Sequence, residues 1–224
     1  ADARILSSAD ATNLIATQGT DVVIPEGVTS IGYKAFFGTQ LTSVQLPSTL
    51  ISIGLGAFES SRLTSVVIPE GVTSIGREAF MGIALTSVQL PSTLTSIVND
   101  VFRDTDLTSI VIKEGVTSIG SAAFWGTPLT SVQLPSTLNT IGGLAFSDTK
   151  LTNVVIPEGV TSISGSAFKD SPLTSVQLPT TLTSIGDNAF DVTQLSNVHL
   201  TENVTSIGSR AFGDAVVTQN IAPT

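Results

Sequence analysis

The sequence predicts a β-rich solenoid of about nine turns, 22 residues each, and two observations predict it. Leu41, Leu63, Leu85, Leu107, Leu129, Leu151, Leu173 and Leu195 recur at one interval. Phe36, Phe58, Phe80, Phe102, Phe124, Phe146, Phe168, Phe190 and Phe212 recur at the same interval, so nine of the ten phenylalanines share one phase. A fixed period in the twenties with apolar residues at fixed phases marks stacked units, each burying a face against the next. Repetition overrides the usual reading of 224 residues as one or two globular domains. One elongated domain is expected.

Each turn can be justified from Leu41–Arg62, LTSVQLPSTLISIGLGAFESSR. Val44 and Leu46 alternate with Ser43 and Gln45, the period of a strand with one buried face. Pro47 ends that strand because it cannot donate to a ladder. Leu50 and Ile53 point inward again from a second, shorter extended segment. Gly54 lets the chain turn, and Ala57–Phe58 is expected to pack a tight 3₁₀-like corner with the ring inside. Three residues after the phenylalanine most turns carry a hydroxyl: Thr39, Ser61, Thr105, Thr127, Thr149, Ser171 and Thr193, with Ile83 the exception. Near a buried turn such a hydroxyl can satisfy a loop carbonyl or amide that the ladder misses.

Residues 1–18 align with the repeat on a shift of 22, which puts Leu6 on the Val28 phase and Leu14 on the Phe36 phase. They are expected to be a degenerate N-terminal capping half-repeat, since a terminal unit has one face in water. Nine repeats occupy 19–216. Residues 217–224 begin a tenth, with Asn220 on the phase of Val44, and are expected to close the stack. Opening at Ala1 with neither Met nor a signal-peptide pattern, the chain is expected to be a mature form or an excised segment.

Composition excludes several functions. Eighteen acids against nine bases give a net charge of −9, which argues against nucleic acid or anionic membrane as partner. There is no cysteine, hence no disulfide, no thiolate nucleophile and no Cys-ligated metal. No apolar run is long enough to span a membrane. His199 is the only histidine, so a two-His metal site cannot form within one chain, and a solvated surface role is expected for it. Asp100, Asp104 and Asp106 cluster without the spacing of a calcium loop. The glutamates Glu26, Glu70, Glu114, Glu158 and Glu202 recur two repeats apart, on the order of 10 Å, which exceeds the carboxylate separation of retaining glycosidases and only marginally meets that of inverting ones. No catalytic residue, cofactor or metal is predicted.

The recurring LPxxLTSIGxxAF core, within LTSVQLPSTLTSIGxxAFxxT, resembles the BspA-like leucine-rich repeat of bacterial and protist surface antigens. The resemblance covers about 19–212, with lapses at Lys113 and Thr201 for Pro, Val98 for Gly and Val101 for Ala. It implies a curved, right-handed leucine-rich-repeat solenoid with a parallel sheet on its concave face and short helical corners. It also implies a non-catalytic extracellular or cell-surface role in adhesion or protein binding; a glycan ligand is the alternative partner.

A second period lies inside the first. Odd repeats read VVIPEGVTSIG and even ones VQLPSTLTSIG, a unit of 44 residues. One reading is duplication of a repeat pair without functional content. The other is a polar, acid-edged floor presenting Gln45, Gln89, Gln133, Gln177 and His199 beside Glu70, Glu114 and Glu158. Directly after the core phenylalanine, odd repeats carry Phe37, Met81 and Trp125, with Tyr33 close in phase. Even repeats carry Glu59, Arg103 and Ser147 there, so the position is expected near water. The large residues then form a stripe for protein binding or self-association, or alternatively fold back as cover over the adjoining corner. Ranks of Thr (Thr42, Thr64, Thr86 and their successors) allow a further reading, an ice- or crystal-binding face. Strand alternation and curvature weigh against it.

Overall fold

A computed structural model describes residues 4–220. The chain is a parallel-strand solenoid of about ten turns. Each turn contributes one strand to each of two rows. The long-strand row comprises β2 (Asp21–Val23), β4 (Ser43–Gln45), β6 (Ser65–Val67), β8 (Ser87–Gln89), β10 (Ser109–Val111), β12 (Ser131–Gln133), β14 (Asn153–Val155), β16 (Ser175–Gln177), β18 (Asn197–Leu200) and β20 (Val216–Gln219). The short-strand row opens with β1 (Arg4–Leu6) and β3 (Val28–Ile31). It continues through β5 (Ser52–Ile53), β7 (Ser74–Ile75), β9 (Ser96–Ile97), β11 (Ser118–Ile119), β13 (Thr140–Ile141), β15 (Ser162–Ile163), β17 (Ser184–Ile185) and β19 (Ser206–Ile207).

The core is one continuous column. Phe36, Phe58, Phe80, Phe102, Phe124, Phe146, Phe168 and Phe190 are fully buried, and each ring stacks on the next at centroid separations from 5.2 to 5.6 Å. The corner that carries them is not a 3₁₀ helix but a run of turns in which every second N–H leaves its own repeat. In Gly56–Ser61, the N–H groups of Ala57, Glu59 and Ser61 donate three residues back to Gly54, Gly56 and Phe58. Those of Gly56, Phe58 and Ser60 donate to Arg77, Ala79 and Met81 of the next repeat. Two left-handed residues per corner produce this alternation, Gly56 (φ 59) and Ser60 (φ 58) in this repeat. The hydroxyls of Thr39, Thr105, Thr127, Thr149, Ser171 and Thr193 donate to the carbonyl of the phenylalanine three residues earlier, at 2.6 to 2.9 Å. That of Ser61 is buried without a partner.

Both ends depart from the 22-residue alignment. Leu6 pairs with Ile31, not Val28, through a register shift between Arg4 and Ile5. The chain then enters α1 (Ser8–Gln18), started by a reciprocal capping box between Ser7 and Asp10. At the other end Val217, not Asn220, takes the phase of Val198, because β20 pairs with β18 three residues early. Residues 221–224 of the expected tenth repeat lie outside the described residues.

The short-strand row breaks once, between β7 and β9. Val98 stands there in the glycine phase, and the reason is steric. A Cβ at Gly76 would lie 2.4 Å from the Leu55 nitrogen, and one at Gly142 2.6 Å from that of Ser121. A valine at that phase holds its strand off the preceding repeat. The long-strand row is not the single continuous sheet expected of it. It is bonded in pairs, β2–β4, β6–β8, β10–β12, β14–β16 and β18–β20, with no ladder between one pair and the next.

Candidate functional site

Three surfaces named by the sequence can be located. On the long-strand face the outward positions are Asp21, then Ser or Asn at the same phase through Asn197, and the alternating column from Val23 to His199. Gln45, Gln89, Gln133, Gln177 and His199 are all exposed. Between the glutamines, Val23, Val67, Val111 and Val155 are 52 to 60% exposed. From β4 to β16 no charged side chain points out of these strands, and His199 Nδ1 lies 3.0 Å from Thr218 Oγ1. Such a face combines apolar methyls with amides and hydroxyls, the composition of an interface centre stripped of charge.

Glu70, Glu114 and Glu158 do not extend this floor as free acids. Each carboxylate reaches forward along the stack and accepts from the next repeat. Glu70 takes the N–H (2.9 Å) and hydroxyl (2.7 Å) of Ser92, Glu114 those of Ser136, and Glu158 those of Thr180. Glu26 holds Ser48 in the same way. These donors keep all four carboxyls below the ordinary glutamate range; the N–H leads at Glu26, Glu114 and Glu158, the hydroxyl at Glu70. Beside each clamp a threonine completes a second one. Thr49 Oγ1 accepts from Gly27 N–H (3.0 Å) and donates to Val28 O (2.7 Å), and Thr93, Thr137 and Thr181 repeat the arrangement. The 44-residue alternation therefore has a structural content: an odd PEGV turn and an even PST turn lock into one pair.

The corner row reads Phe37, Glu59, Met81, Arg103, Trp125, Ser147, Lys169 and Asp191. Phe37 and Tyr33 are exposed, whereas Met81 and Trp125 are half-buried. Cations of this chain lie over the rings without burying Phe37 or Tyr33. Lys34 Nζ lies 4.6 Å from the Phe37 ring centre and 5.7 Å from that of Tyr33, and the Arg103 guanidinium lies 4.2 Å from Trp125. Nor is the phase uniformly wet, as the charged residues of even repeats had suggested. Ser147 and Asp191 are buried, and Asp191 is satisfied by Arg210 at 2.9 Å. Glu59 Oε2 is buried without a hydrogen bond. Burial, then repulsion from Glu78, pushes its carboxyl up, partly opposed by Lys34.

The threonine ranks are not a uniform hydroxyl array. Thr42, Thr86, Thr130 and Thr174 donate to the carbonyls of Thr20, Thr64, Thr108 and Thr152 at 3.1 to 3.2 Å. Every second hydroxyl of the rank is thus consumed within the fold. Among the described residues no helix is long and apolar enough to cross a membrane.

The pattern describing the BspA type Leucine rich repeat region matches residues 15–128 and 117–223, in six copies. The chain belongs to the BspA-type leucine-rich repeat family. Solved structures of leucine-rich repeat proteins share its fold. One from Bacteroides ovatus is 28% identical with a TM-score of 0.60, over 89% of this chain and 66% of its own. The T. pallidum leucine-rich repeat protein is 26% identical with a TM-score of 0.55, over 77% of this chain and 76% of its own. The pneumococcal vaccine antigen PcpA shares the fold at 18% identity and a TM-score of 0.57, over 90% of this chain and 62% of its own. The BspA-type chain described here thus spans about two thirds of the length of the Bacteroides protein. No curated protein matches it.

Proposed function

We propose that this chain is a non-catalytic protein-interaction or adhesion module working outside the cell or at its surface, and that its long-strand face binds the ligand. Membership in the BspA-type leucine-rich repeat family supports the interaction role and the surface location. The observation that carries the choice of face is the register of Val67, Val111 and Val155, each more than half exposed, among outward Ser, Asn and Gln of strands β4 to β16. Exposed methyls in a charge-free field lose water cheaply, and nothing in the repeat's core requires them there. Binding of the purified chain to a panel of immobilised matrix proteins tests the reading. A ligand should be found, and Val67→Glu, Val111→Glu and Val155→Glu together should abolish its capture without altering the melting temperature. A parallel variant, Phe37→Ser with Met81→Ser and Trp125→Ser, should bind as the parent does. Capture of no panel protein, or loss confined to the corner variant, overturns the proposal.

A further inference from the structure

We infer that the solenoid is jointed: repeat pairs of 44 residues move as units and open and close against one another on the long-strand face. Within a pair the face is bonded throughout. Ile24, Ile68, Ile112 and Ile156 donate to the glutamine carbonyl of the next strand at 2.9 to 3.1 Å. Thr42, Thr86, Thr130 and Thr174 N–H groups donate back at 2.8 to 2.9 Å. The Glu–Ser and Gly–Thr clamps close the same junctions. Between an even repeat and the next odd one a single backbone bond remains on this face, at the strand entrance. There the Arg62, Asp106, Lys150 and Gln194 N–H groups donate to the carbonyls of Leu41, Leu85, Leu129 and Leu173 at 2.9 to 3.0 Å. The equivalents of the strand bonds are absent among the described residues. Leu46 N–H does not reach Val67 O, nor Thr64 N–H the carbonyl of Thr42.

The side chains beneath these junctions record the opening. Val66, Ile110 and Val154, which begin pairs, are buried, whereas Val44, Val88, Val132 and Val176, which end them, are half-buried. An open groove of about 600 Å³ runs over β4, β6 and β8, and one of about 280 Å³ lies between β12 and β14. The other two joints are tied by sequence lapses. Lys113, in a proline phase, reaches Glu70 across the β8–β10 joint at 3.7 Å. Asn203, in a glycine phase, donates to Thr180 O across the β16–β18 joint at 2.8 Å, where the cavity shrinks to about 190 Å³.

The opposite side of each joint is a hinge. Across the β4–β6 junction Gly76 N–H donates to Ile53 O at 2.7 Å and Phe58 N–H to Ala79 O at 2.8 Å. The rings Phe36, Phe58 and Phe80 stand at an even 5.3 Å with no sign of the alternation. A stack pinned along one edge, and held at alternate junctions of the other only by one bond at the strand entrance, can change its curvature by closing slots beyond that bond, because facing edge strands keep unpaired N–H and C=O groups in parallel register. The proposed ligand face would then adapt its spacing between valine rows while each row stays rigid.

The absence of cysteine makes the test clean. Ser43→Cys with Ser65→Cys places a thiol pair across the β4–β6 joint, and Ser65→Cys with Ser87→Cys places one inside a bonded pair. In the unmodified chain, hydrogen exchange at the Leu46 and Thr64 amides should outrun that at Ile68 and Thr86 by on the order of 100-fold or more. Both cysteine pairs should oxidise, since closed neighbouring strands meet disulfide geometry. The joint disulfide should slow Leu46 and Thr64 at least about tenfold, and the in-pair disulfide should leave them unchanged. Equal exchange in the unmodified chain overturns the joint, as does a locked joint whose amides stay fast. Failure of the joint pair to oxidise while the in-pair cysteines do would show that the slot never closes, and would overturn the motion.

Discussion

Replacing Phe124 with alanine removes a ring buried completely between Phe102, at 5.6 Å, and Phe146, at 5.3 Å. Phe→Ala in a core costs about 3–5 kcal/mol, the spread depending on how far the site collapses. Collapse is resisted here. Phe124 N–H donates to Ala145 O and Phe102 N–H to Ala123 O, both at 2.9 Å, which fixes the spacing of the three repeats independently of the rings. The loss should therefore fall in the upper half of that range. It includes two stacking contacts of about 0.5–1.5 kcal/mol each. Phe212 provides an internal comparison, since it is 5% exposed and stacks on Phe190 alone. Phe212→Ala should cost less than Phe124→Ala by at least one such contact. Urea titration followed by far-UV circular dichroism measures both, and the m-value reports whether the array still unfolds as one unit. A loss below about 1 kcal/mol at Phe124, or one no larger than at Phe212, would refute the view that the column is a rigid core element.

Val192 is a β-branched residue held at φ 54 while 60% exposed, where other corners use Gly38, Ser60, Gly82, Asp104, Gly126, Asp148 and Asp170. Val192→Gly should stabilise by about 0.5–1 kcal/mol, the relief of left-handed strain less the chain entropy of glycine, and an unchanged or lower denaturation midpoint would contradict this. Glu26, Glu70, Glu114 and Glu158 are held below their ordinary value when folded, so their contribution is complete above the unfolded value of 4.5 and is lost as pH falls through the folded one. The melting temperature should drop on acidification between about pH 5 and pH 3, and replacing all four by Gln should flatten that slope. Glu59 has the opposite sign: its raised carboxyl is a burden when ionised, so Glu59→Gln should raise the melting temperature at neutral pH, and a fall would show that the carboxylate has a donor.

Much of this was legible in the residues. Period, phenylalanine column and the two extended segments per turn follow from spacing, because a solenoid repeats its burial pattern with its sequence. The helix α1 was also written there, in Ser7 and Asp10, yet a shift of 22 hides a capping box by forcing an alignment on a segment that has left the repeat. The pairing of repeats is a different case. Glu26 and Ser48 stand one period apart, but so do Ser48 and Glu70, and spacing alone does not say which neighbour a carboxylate grips. That choice is made by the glycine-containing turn, where Gly27 at φ 99 presents its N–H to Thr49 on the following repeat. Cation cover over Phe37 and Trp125 was illegible for a related reason. Lys34 acts within its own corner and Arg103 across one repeat, and neither belongs to a recurring pattern.

The lapses show how such a chain survives its own irregularities. Three main sets of backbone bonds can join a repeat to the next, long strand, short strand and corner, and a single strand-entrance bond such as Arg62 N–H to Leu41 O is added at the joints. At β7–β9 the short-strand bonds are lost to Val98, and the long strands β6 and β8 are bonded there. At the joints the long-strand bonds are missing, and the short-strand row is continuous. The corner is the one set present at every junction from Phe36–Ala57 to Phe190–Ala211. Its alternation of left-handed residues and the ring column it carries therefore hold the array in sequence where either ladder fails. A substitution that opened the corner at a joint would leave the backbones of two neighbouring repeats tied by short strands of two residues each and one bond at the long-strand entrance. The corner tolerates lapses that keep its backbone bonds, such as Val101 for Ala, whose carbonyl still accepts from Phe80 N–H, and all nine phenylalanines of the column are kept.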